Sequence, residues 1–215
     1  MLQLYDNKEF LRFSIFLMWL LNISGFFGIL SDQKDFYLSA TPYVLSLTLF
    51  ILVANHNLNQ NKIIPAFFLI ILLAIFVQVL GVNYGLFFGD YEYDNTLGIQ
   101  IMGVPLVIGF NWLMLTIICA NFIENIFKKN IYTKVILASI LMVSLDFLIE
   151  IVAPQIDFWE FNADVVPISN YIWWFFFSLV FQFIYFITVK EKEHKLSKNI
   201  LVIHFLFFGL LALFL

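Results

Sequence analysis

Long runs of apolar residues alternate with short polar segments along almost the whole chain. A helix needs about 20 mostly apolar residues to cross the hydrocarbon core of a bilayer, and seven runs approach or reach that length. We therefore predict an all-α, polytopic membrane bundle that forms one integral membrane domain over residues 1–215. The first run follows Lys8 and Arg12 but lacks a clear cleavage site, so we expect it to be retained. The predicted transmembrane helices cover residues 11–30, 38–54, 63–80, 101–123, 135–153, 171–189 and 199–215.

The charged residues between these runs indicate how the bundle is oriented. Loops on the cytoplasmic side of a membrane are enriched in Lys and Arg. With seven spans, ten of the 11 basic residues fall on one side and Lys34 alone falls on the other. We predict a multi-pass protein of the cytoplasmic (inner) membrane with its N-terminus inside and its C-terminus outside. The ten inner residues are Lys8, Arg12, Lys62, Lys128, Lys129, Lys134, Lys190, Lys192, Lys195 and Lys198. The acidic residues of the outer side are Asp32, Asp35, Asp90, Glu92, Asp94, Asp157, Glu160 and Asp164.

The composition supports a membrane protein and argues against several kinds of active site. Apolar residues make up 62% of the chain and charged residues only 12%, about half the charged fraction of a soluble domain. The single cysteine, Cys119, leaves no intramolecular disulfide. His56, His194 and His204 form no HxxH or HxxxH pair, which argues against a di-iron oxygenase. No glycine-rich nucleotide-binding motif occurs, so we expect no metal, no cofactor and no nucleic-acid partner.

Two segments of the chain resemble each other. GVPLVIGFNW (103–112) and DVVPISNYIWW (164–174) each place a Trp seven residues after the proline of a Val-Pro pair. Each follows a cluster of aromatic and acidic residues, FGDYEYD (88–94) and IDFWEF (156–161), in the two longest predicted loops. The third and fourth predicted helices, and the fifth and sixth, would then be two copies of one hairpin. The alternative is that Pro commonly begins helices and that Trp anchors them at the membrane surface.

One predicted helix contains two carboxyl groups where hydrocarbon would surround them. In SLDFLIE, Asp146 and Glu150 are four residues apart, so they share one helix face. Burial disfavours a charged carboxylate, and a neighbouring carboxylate disfavours a second charge. We expect the pair to hold one shared proton, which suits a general acid that acts on an apolar substrate. The alternative is a structural pair that is hydrogen-bonded to Ser144, Asn111 or Gln78.

Polar and aromatic side chains near the outer ends of the predicted helices are candidates for substrate contact. An uncharged amide within a span more often joins helices than takes part in catalysis, and a Trp or Tyr near the surface is often an anchor. Together with the acids, these side chains can also line a slot for a long apolar ligand, where aromatic faces stabilise a cation. The candidates are Gln78, Tyr91, Tyr93, Asn111, Trp112, Trp159, Asn170, Trp173 and Trp174.

Three segments carry a resemblance to a known family. GVNYGLFFGDYEYDNTLGIQIMGVPLVIGFNW (81–112), LDFLIEIVAPQIDFW (145–159) and VPISNYIWWF (166–175) resemble the carotenoid biosynthesis membrane proteins. That family includes the carotenoid 1,2-hydratases of bacteria and the bisanhydrobacterioruberin hydratases of archaea. The resemblance spans residues 75–180, whereas the N-terminal 60 residues and the last span match only in hydropathy.

The resemblance implies addition of water across a terminal isoprenoid double bond of an acyclic or monocyclic carotenoid. A carboxylic acid protonates the alkene, and water captures the tertiary carbocation. The family pattern assigns Asp146 as the acid and Glu150 as its proton partner or the base for water, or the reverse. The implied partners are membrane lipid, the carotenoid substrate and other carotenoid biosynthesis enzymes.

The chain departs from the family pattern at two places. Family members have Glu three residues before the first glycine of the block, where this chain has Gln78. They also have a Thr-Gly pair where this chain has Tyr84 and Gly85. Because Gln78 cannot supply a proton, the departure puts either the activity or the usual substrate in doubt.

Two rival functions remain open at the level of the sequence. A carotenoid cyclase of the small membrane type would form the same cation without adding water. A non-catalytic protein that binds or transports carotenoids is the rival from another class. A proton-coupled transporter needs polar residues along a path to the inner face, and beyond Asn111 and Gln182 the sequence offers few.

Overall fold

The chain folds into a bundle of helices, as the apolar runs predict. A computed structural model describes residues 6–128, 130–162, 165–190 and 193–215. Lys129, Asp164 and Lys192, which belong to the charge pattern above, lie outside the described residues. Within those ranges the helices are α1 (Lys8–Ile29), α2 (Lys34–Ser39), α3 (Thr41–Ala54), α4 (Ile63–Tyr84), α5 (Leu106–Ile126), α6 (Ile131–Val152), α7 (Ile168–Thr188) and α8 (Lys195–Phe214). The strands are β1 (Tyr91–Tyr93), β2 (Gln100–Ile101), β3 (Val104–Pro105) and β4 (Trp159–Phe161).

The lengths of the helices bear on how often the chain crosses the membrane. Among the described residues, six helices are long and apolar enough to span it, namely α1, α4, α5, α6, α7 and α8. The remaining predicted span corresponds to α3, which has 14 residues. A helix of that length extends about 21 Å at 1.5 Å per residue, which is less than the ~30 Å hydrocarbon core. The fold class is confirmed, while seven crossings and the N-inside orientation stay predictions.

Hydrogen bonds at one end of the bundle show how the helices run. Tyr185, near the end of α7, donates to Asn121 near the end of α5 (2.7 Å). His56, which follows α3, places Nε2 3.2 Å from the Tyr185 hydroxyl, and Asn121 donates to Ser197 in the first turn of α8 (2.9 Å). The ends of α3, α5 and α7 and the start of α8 therefore meet. We call this the inner end, because the loops rich in basic residues are there.

Contacts at the opposite, outer end involve the start of α3. Gly98 packs against Pro42, the second residue of α3. Lys34 at the start of α2 donates to the carbonyl oxygen of Gln155 (2.8 Å), just after α6. Although α3 is short, it therefore connects the outer end of the bundle to the inner end.

A small sheet joins the two long loops at the outer end. β1 and β4 are antiparallel, and the register places Tyr91 opposite Phe161, Glu92 opposite Glu160 and Tyr93 opposite Trp159. Successive residues of a strand point to opposite faces. The two glutamates are therefore exposed, while the aromatic side chains are turned towards the bundle. The sheet forms an aromatic layer over the outer ends of α4 to α7.

The helices of the α4–α5 hairpin match those of the α6–α7 hairpin in length, although the loop of the first hairpin also contains β2 and β3. α4 and α6 have 22 residues each, and α5 and α7 have 21 each. β1 and β4 have three residues each. Pro105 and Pro167 are the N-caps of α5 and α7. The equal lengths agree with two copies of one hairpin, and the duplication stays a prediction from the sequence.

The central helix of the bundle is α5. Of its apolar span, 78% is buried inside the protein, whereas only 11% of the α1 span is buried. α1 instead lies at the edge and packs along α8, where Trp19 Nε1 donates to Asn199 Oδ1 (3.0 Å). The acid-bearing helix α6 packs against α5, α7 and α8, so its polar face is enclosed.

Candidate active site

The acid pair lies on the buried face of α6 in its outer half. Asp146 and Glu150 are 1% and 4% exposed. α6 begins at the inner end, where the Asn130 side chain caps it by accepting the backbone N–H of Thr133 (2.9 Å). Two carboxyl groups on one buried helix face are costly to enclose unless they are paired, protonated or hydrogen-bonded.

Glu150 is held by two hydrogen-bond donors from other elements. Trp159 of β4 donates its indole N–H to Oε2 (2.8 Å). Asn170, in the first turn of α7, donates its amide N–H to Oε1 (2.9 Å). Ser144 instead donates to the carbonyl oxygen of Ile140 on the exposed side of α6. β4 and the first turn of α7 therefore fix the position of the Glu150 carboxyl group.

Asp146 has a different environment, one helical turn deeper. Within the described ranges, neither of its carboxyl oxygens has a hydrogen-bond partner. The Asn170 side chain donates instead to Glu150 (2.9 Å). A buried polar group without a partner costs about 1–3 kcal/mol, and such groups often have a catalytic role or hold water.

Glu150 faces a small cavity beneath the β1–β4 sheet, which we call the acid cavity. Its volume is about 20 Å³, and a cavity of ~10–15 Å³ or more has room for one water molecule. Eight of the nine predicted substrate-contacting residues line it, namely Gln78, Tyr91, Tyr93, Asn111, Trp112, Trp159, Asn170 and Trp174. Asp146 does not line this cavity. The structure brings these residues together, while their roles stay predictions.

The ninth predicted residue, Trp173, lies elsewhere. Its ring packs against Phe87 and Phe177, with centroids 4.7 Å and 5.8 Å away. Trp174 is turned inwards and lines the acid cavity, because adjacent residues of a helix point about 100° apart.

Three further residues of the acid cavity were not predicted as contacts. Phe88, Ile108 and Phe161 complete its lining. Phe88 and Phe161 belong to the two aromatic and acidic clusters of the outer loops, so the sequence already contained a reason to include them. Ile108 lies one turn before Trp112 on α5, and this helical spacing could have indicated it.

Gln78 joins two tyrosines at the edge of the acid cavity. The hydroxyl groups of Tyr91 and Tyr93 both donate to Gln78 Oε1. Burial raises the pKa of Tyr91 above its ordinary value, and burial likewise raises the pKa of Tyr93. Both phenols therefore stay protonated and remain donors at neutral pH. Gln78 thus holds the lining of the cavity in place.

A larger cavity adjoins the acid cavity, and we call it the lateral cavity. Its volume is about 200 Å³, and residues of α1, α2, α3, α5, α6 and α8 line it. Ile108, Asn111 and Trp159 line both cavities. These three side chains therefore form the shared wall between an apolar space and the space beside Glu150.

A protein site for a metal ion needs several ligand side chains close together. In the ranges that the structure covers, no three His, Cys, Asp or Glu side chains are grouped as metal ligands would be. The expectation of a reaction without metal or cofactor stays a prediction from the sequence.

A comparison with known protein families shows to which family the chain belongs. A family model described as carotenoid biosynthesis protein matches residues 39–215. The chain belongs to the carotenoid biosynthesis protein family. The match extends further than residues 75–180 and includes α3 and α8, where the sequence alone suggested only a likeness in hydropathy. No curated protein and no solved structure was found to match the chain. As a carotenoid biosynthesis protein with several membrane-length helices, the chain acts in carotenoid biosynthesis in association with a membrane.

Proposed function

We propose that this protein is a carotenoid hydratase of the cytoplasmic membrane, which adds water to a terminal isoprenoid double bond of an acyclic or monocyclic carotenoid. The observation that carries the proposal is the Glu150 carboxyl group at the wall of an aromatic cavity with room for one water molecule. Membership of the carotenoid biosynthesis family supplies the substrate class.

Glu150 is the acid that contacts the substrate, with Asp146 as its proton partner. A general acid must come within hydrogen-bonding reach of the atom that it protonates. Glu150 lines the acid cavity and Asp146 does not, which supports this order of roles over the reverse. Two adjacent buried carboxylates disfavour a double negative charge, so the pair shares one proton.

The reaction consumes no net proton, because Glu150 gives one proton to the substrate and later receives one back. The π electrons of the terminal double bond take the proton of Glu150, which leaves a tertiary carbocation and a Glu150 carboxylate. Water in the acid cavity forms the new C–O bond, and the resulting oxonium group returns a proton to Glu150. The net change is the addition of one water molecule. The N–H groups of Trp159 and Asn170 stabilise the carboxylate that exists between the two steps.

The aromatic lining stabilises the carbocation. A cation over the face of an aromatic ring gains about 0.5–2 kcal/mol, and more when water is excluded. Trp159 lines both the acid cavity and the lateral cavity, and Trp112, Trp174 and Tyr91 are buried on the side of the acid cavity. A Gln at position 78 leaves this lining intact because it accepts from both tyrosines, so the proton source falls to Asp146 and Glu150.

Expression in a host that accumulates lycopene or γ-carotene tests the proposal. The wild-type chain should yield a product heavier by the mass of one water, identified by chromatography with mass detection. Glu150→Gln should abolish the product, and Asp146→Asn should reduce it. Glu124→Gln is the matched control, because Glu124 pairs with Lys134 (2.9 Å) far from the cavity. Full product formation by Glu150→Gln would refute the assignment.

The same experiment separates the rival functions. A cyclase would convert the polyene without a change in mass, because an internal bond quenches the cation instead of water. A binding or transport protein would leave both the mass and the retention time of the carotenoid unchanged. Loss of product in Asp146→Asn together with full activity in Glu150→Gln would reverse the roles of the two acids.

A further inference from the structure

We infer that the lateral cavity binds one end of a long polyene and directs its tip to the wall formed by Ile108, Asn111 and Trp159. This inference rests on the proposed function and assigns the site that holds the substrate chain. The rest of the polyene stays outside the cavity, in the hydrocarbon of the membrane. The protein therefore takes one end of its substrate per binding event.

The lateral cavity lies beside α1, which contacts α8 on one side and α2 on the other. α1 runs alongside α8, with Phe26 and Phe214 in ring contact (6.0 Å) and Gly25 beside Phe207. Towards α2, the Ser24 and Tyr37 hydroxyl groups lie 3.3 Å apart. Between these contacts a gap remains in front of α3 and α5.

The lining of the cavity suits a hydrocarbon chain. Leu21, Val44 and Leu45 contribute aliphatic surface, and Phe207 and Phe208 contribute aromatic surface. Burial of such a chain is favourable at about 25 cal/mol per Å² of apolar surface removed from water, although much less is gained when the chain comes from lipid. The lining therefore accepts a hydrocarbon chain that fits, and the adjoining acid reacts only with a chain that has a double bond at its end.

The mouth of the cavity lies near the outer end of the bundle. Among the lining residues, Ser24 of α1 and Phe36 of α2 are exposed. Ile108, Asn111 and Trp159 lie on the side shared with the acid cavity. A chain that enters at this mouth and extends to Ile108, Asn111 and Trp159 therefore has its tip nearest to Glu150. A lipid acyl chain also fits the apolar lining, but it has no double bond at its tip for the acid to protonate.

The volume of the cavity limits how much of the substrate it holds. About 200 Å³ lies below the ~300–1,000 Å³ of sites that enclose a drug-sized ligand. A 40-carbon polyene is larger than such a ligand, so only its end fits. A substrate with two reactive ends must leave and rebind before its second end reacts.

Substitutions that fill the cavity provide the test. Gly25 lines the cavity, and a Cβ there would meet Phe207 at an ordinary 3.6 Å, so Gly25→Leu is compatible with the backbone. Val44→Phe fills the cavity from the α3 side. The matched controls are Gly209→Leu, where a Cβ meets nothing within 4 Å, and Val202→Phe on the exposed side of α8.

Binding is measured without turnover in the Glu150→Gln background. Each variant is purified from a host that makes lycopene, and the bound pigment per protein is read from its absorbance. We expect both cavity-filling variants to lose about tenfold or more of the pigment, and both controls to retain it. Wild-type retention of pigment by the cavity-filling variants would overturn the inference. Loss of phospholipid in place of polyene, detected by mass analysis of the extract, would overturn it as well.

A time course with the wild-type protein tests the inference independently of any variant. Lycopene has two equivalent ends, so we expect the singly hydrated product to accumulate before the doubly hydrated one. Formation of the doubly hydrated product with no free singly hydrated intermediate would overturn binding of one end at a time. If the wild-type protein forms no hydrated product at all while the pigment-binding pattern holds, the proposed function fails and the binding site stands.

Discussion

The indole rings of Trp112 and Trp174 stack face to face, with centroids 3.7 Å apart and planes 12° from parallel. One ring comes from α5 and the other from α7, and each residue occupies the same position after the proline that caps its helix. Both residues line the acid cavity. The two matching hairpins therefore meet through equivalent residues at the site where the chemistry is proposed.

Trp174→Ala should lower the free energy of unfolding by about 3–5 kcal/mol, because it removes a large buried side chain from a packed interface. A double-mutant cycle with Trp112→Phe and Trp174→Phe should give a coupling energy of about 0.5–1.5 kcal/mol for the stacked pair. Unfolding in mixed detergent micelles, followed by circular dichroism, measures both values. Trp173→Phe paired with Trp112→Phe is the control and should show no coupling. An equally large coupling in that control would contradict a specific effect of stacking.

Much of the fold can be predicted from the sequence, because the hydropathy of each segment alone indicates whether that segment can span a membrane. A helix such as α4 is apolar along its length and needs no partner to be recognised as a span. The pairing of Asp146 with Glu150 on one face follows from helix geometry alone. The Val-Pro and Trp spacing reveals the two hairpins for the same reason, since it is a local pattern repeated in the chain.

The partners of Glu150 depend on the path of a loop, and the sequence did not predict them. Trp159 and Asn170 reach Glu150 because the chain between α6 and α7 folds back through β4, whose register is set by pairing with β1. The sequence also did not predict which of Trp173 and Trp174 faces the acid cavity. Both are large aromatic residues near a helix start, and only the packing of α7 against α5 decides which of them faces the cavity.

Glu92 and Glu160 lie directly opposite each other on β1 and β4. Like charges at such a position destabilise a sheet, and opposite charges stabilise it by about 0.2–1 kcal/mol. Glu92→Lys should therefore raise the melting temperature. The double variant Glu92→Lys with Glu160→Lys restores repulsion and should lose the gain. Asp32→Lys, at an exposed site away from the sheet, is the control for net charge. A gain that persists in the double variant would show that the cross-strand pair is not the cause.

The two buried phenols predict how stability depends on alkaline pH. Burial raises the pKa of Tyr91 and burial raises the pKa of Tyr93 above the ordinary 10.0. Above roughly pH 10, the unfolded chain loses phenol protons that the folded protein still holds. The stability from these groups is therefore complete below pH 10 and is lost as the pH rises towards the raised pKa values. Melting temperatures between pH 8 and 11.5 should fall less steeply for a Tyr91→Phe and Tyr93→Phe double variant. Equal slopes for both proteins would contradict this.

Gln78 and Asp146 occupy equivalent places in the two hairpins, each six residues before the last residue of its helix. In α6 this position holds an acid whose carboxyl oxygens have no hydrogen-bond partner among the described residues, whereas in α4 it holds an amide oxygen that accepts from two tyrosines. The equivalent positions of the two hairpins therefore differ in their surroundings, since Gln78 supports the lining of the cavity and Asp146 lies beside the proposed acid Glu150.

Two substitutions of Gln78 distinguish its role as a hydrogen-bond acceptor for the tyrosines from the role of an acid at this position. Gln78→Glu keeps an acceptor for Tyr91 and Tyr93, so the melting temperature should change little and conversion of the carotenoid should persist. Gln78→Leu has a similar size but leaves two buried hydroxyl groups without an acceptor, at about 1–3 kcal/mol for each. It should lower the free energy of unfolding and reduce conversion, because the tyrosines no longer hold their positions beside Glu150. Unfolding in mixed micelles and product mass in the carotenoid-producing host measure the two effects.

Full stability and conversion in Gln78→Leu would show that the amide does not position the tyrosines. Stable folding of Gln78→Leu with complete loss of product would instead assign Gln78 a direct contact with the substrate.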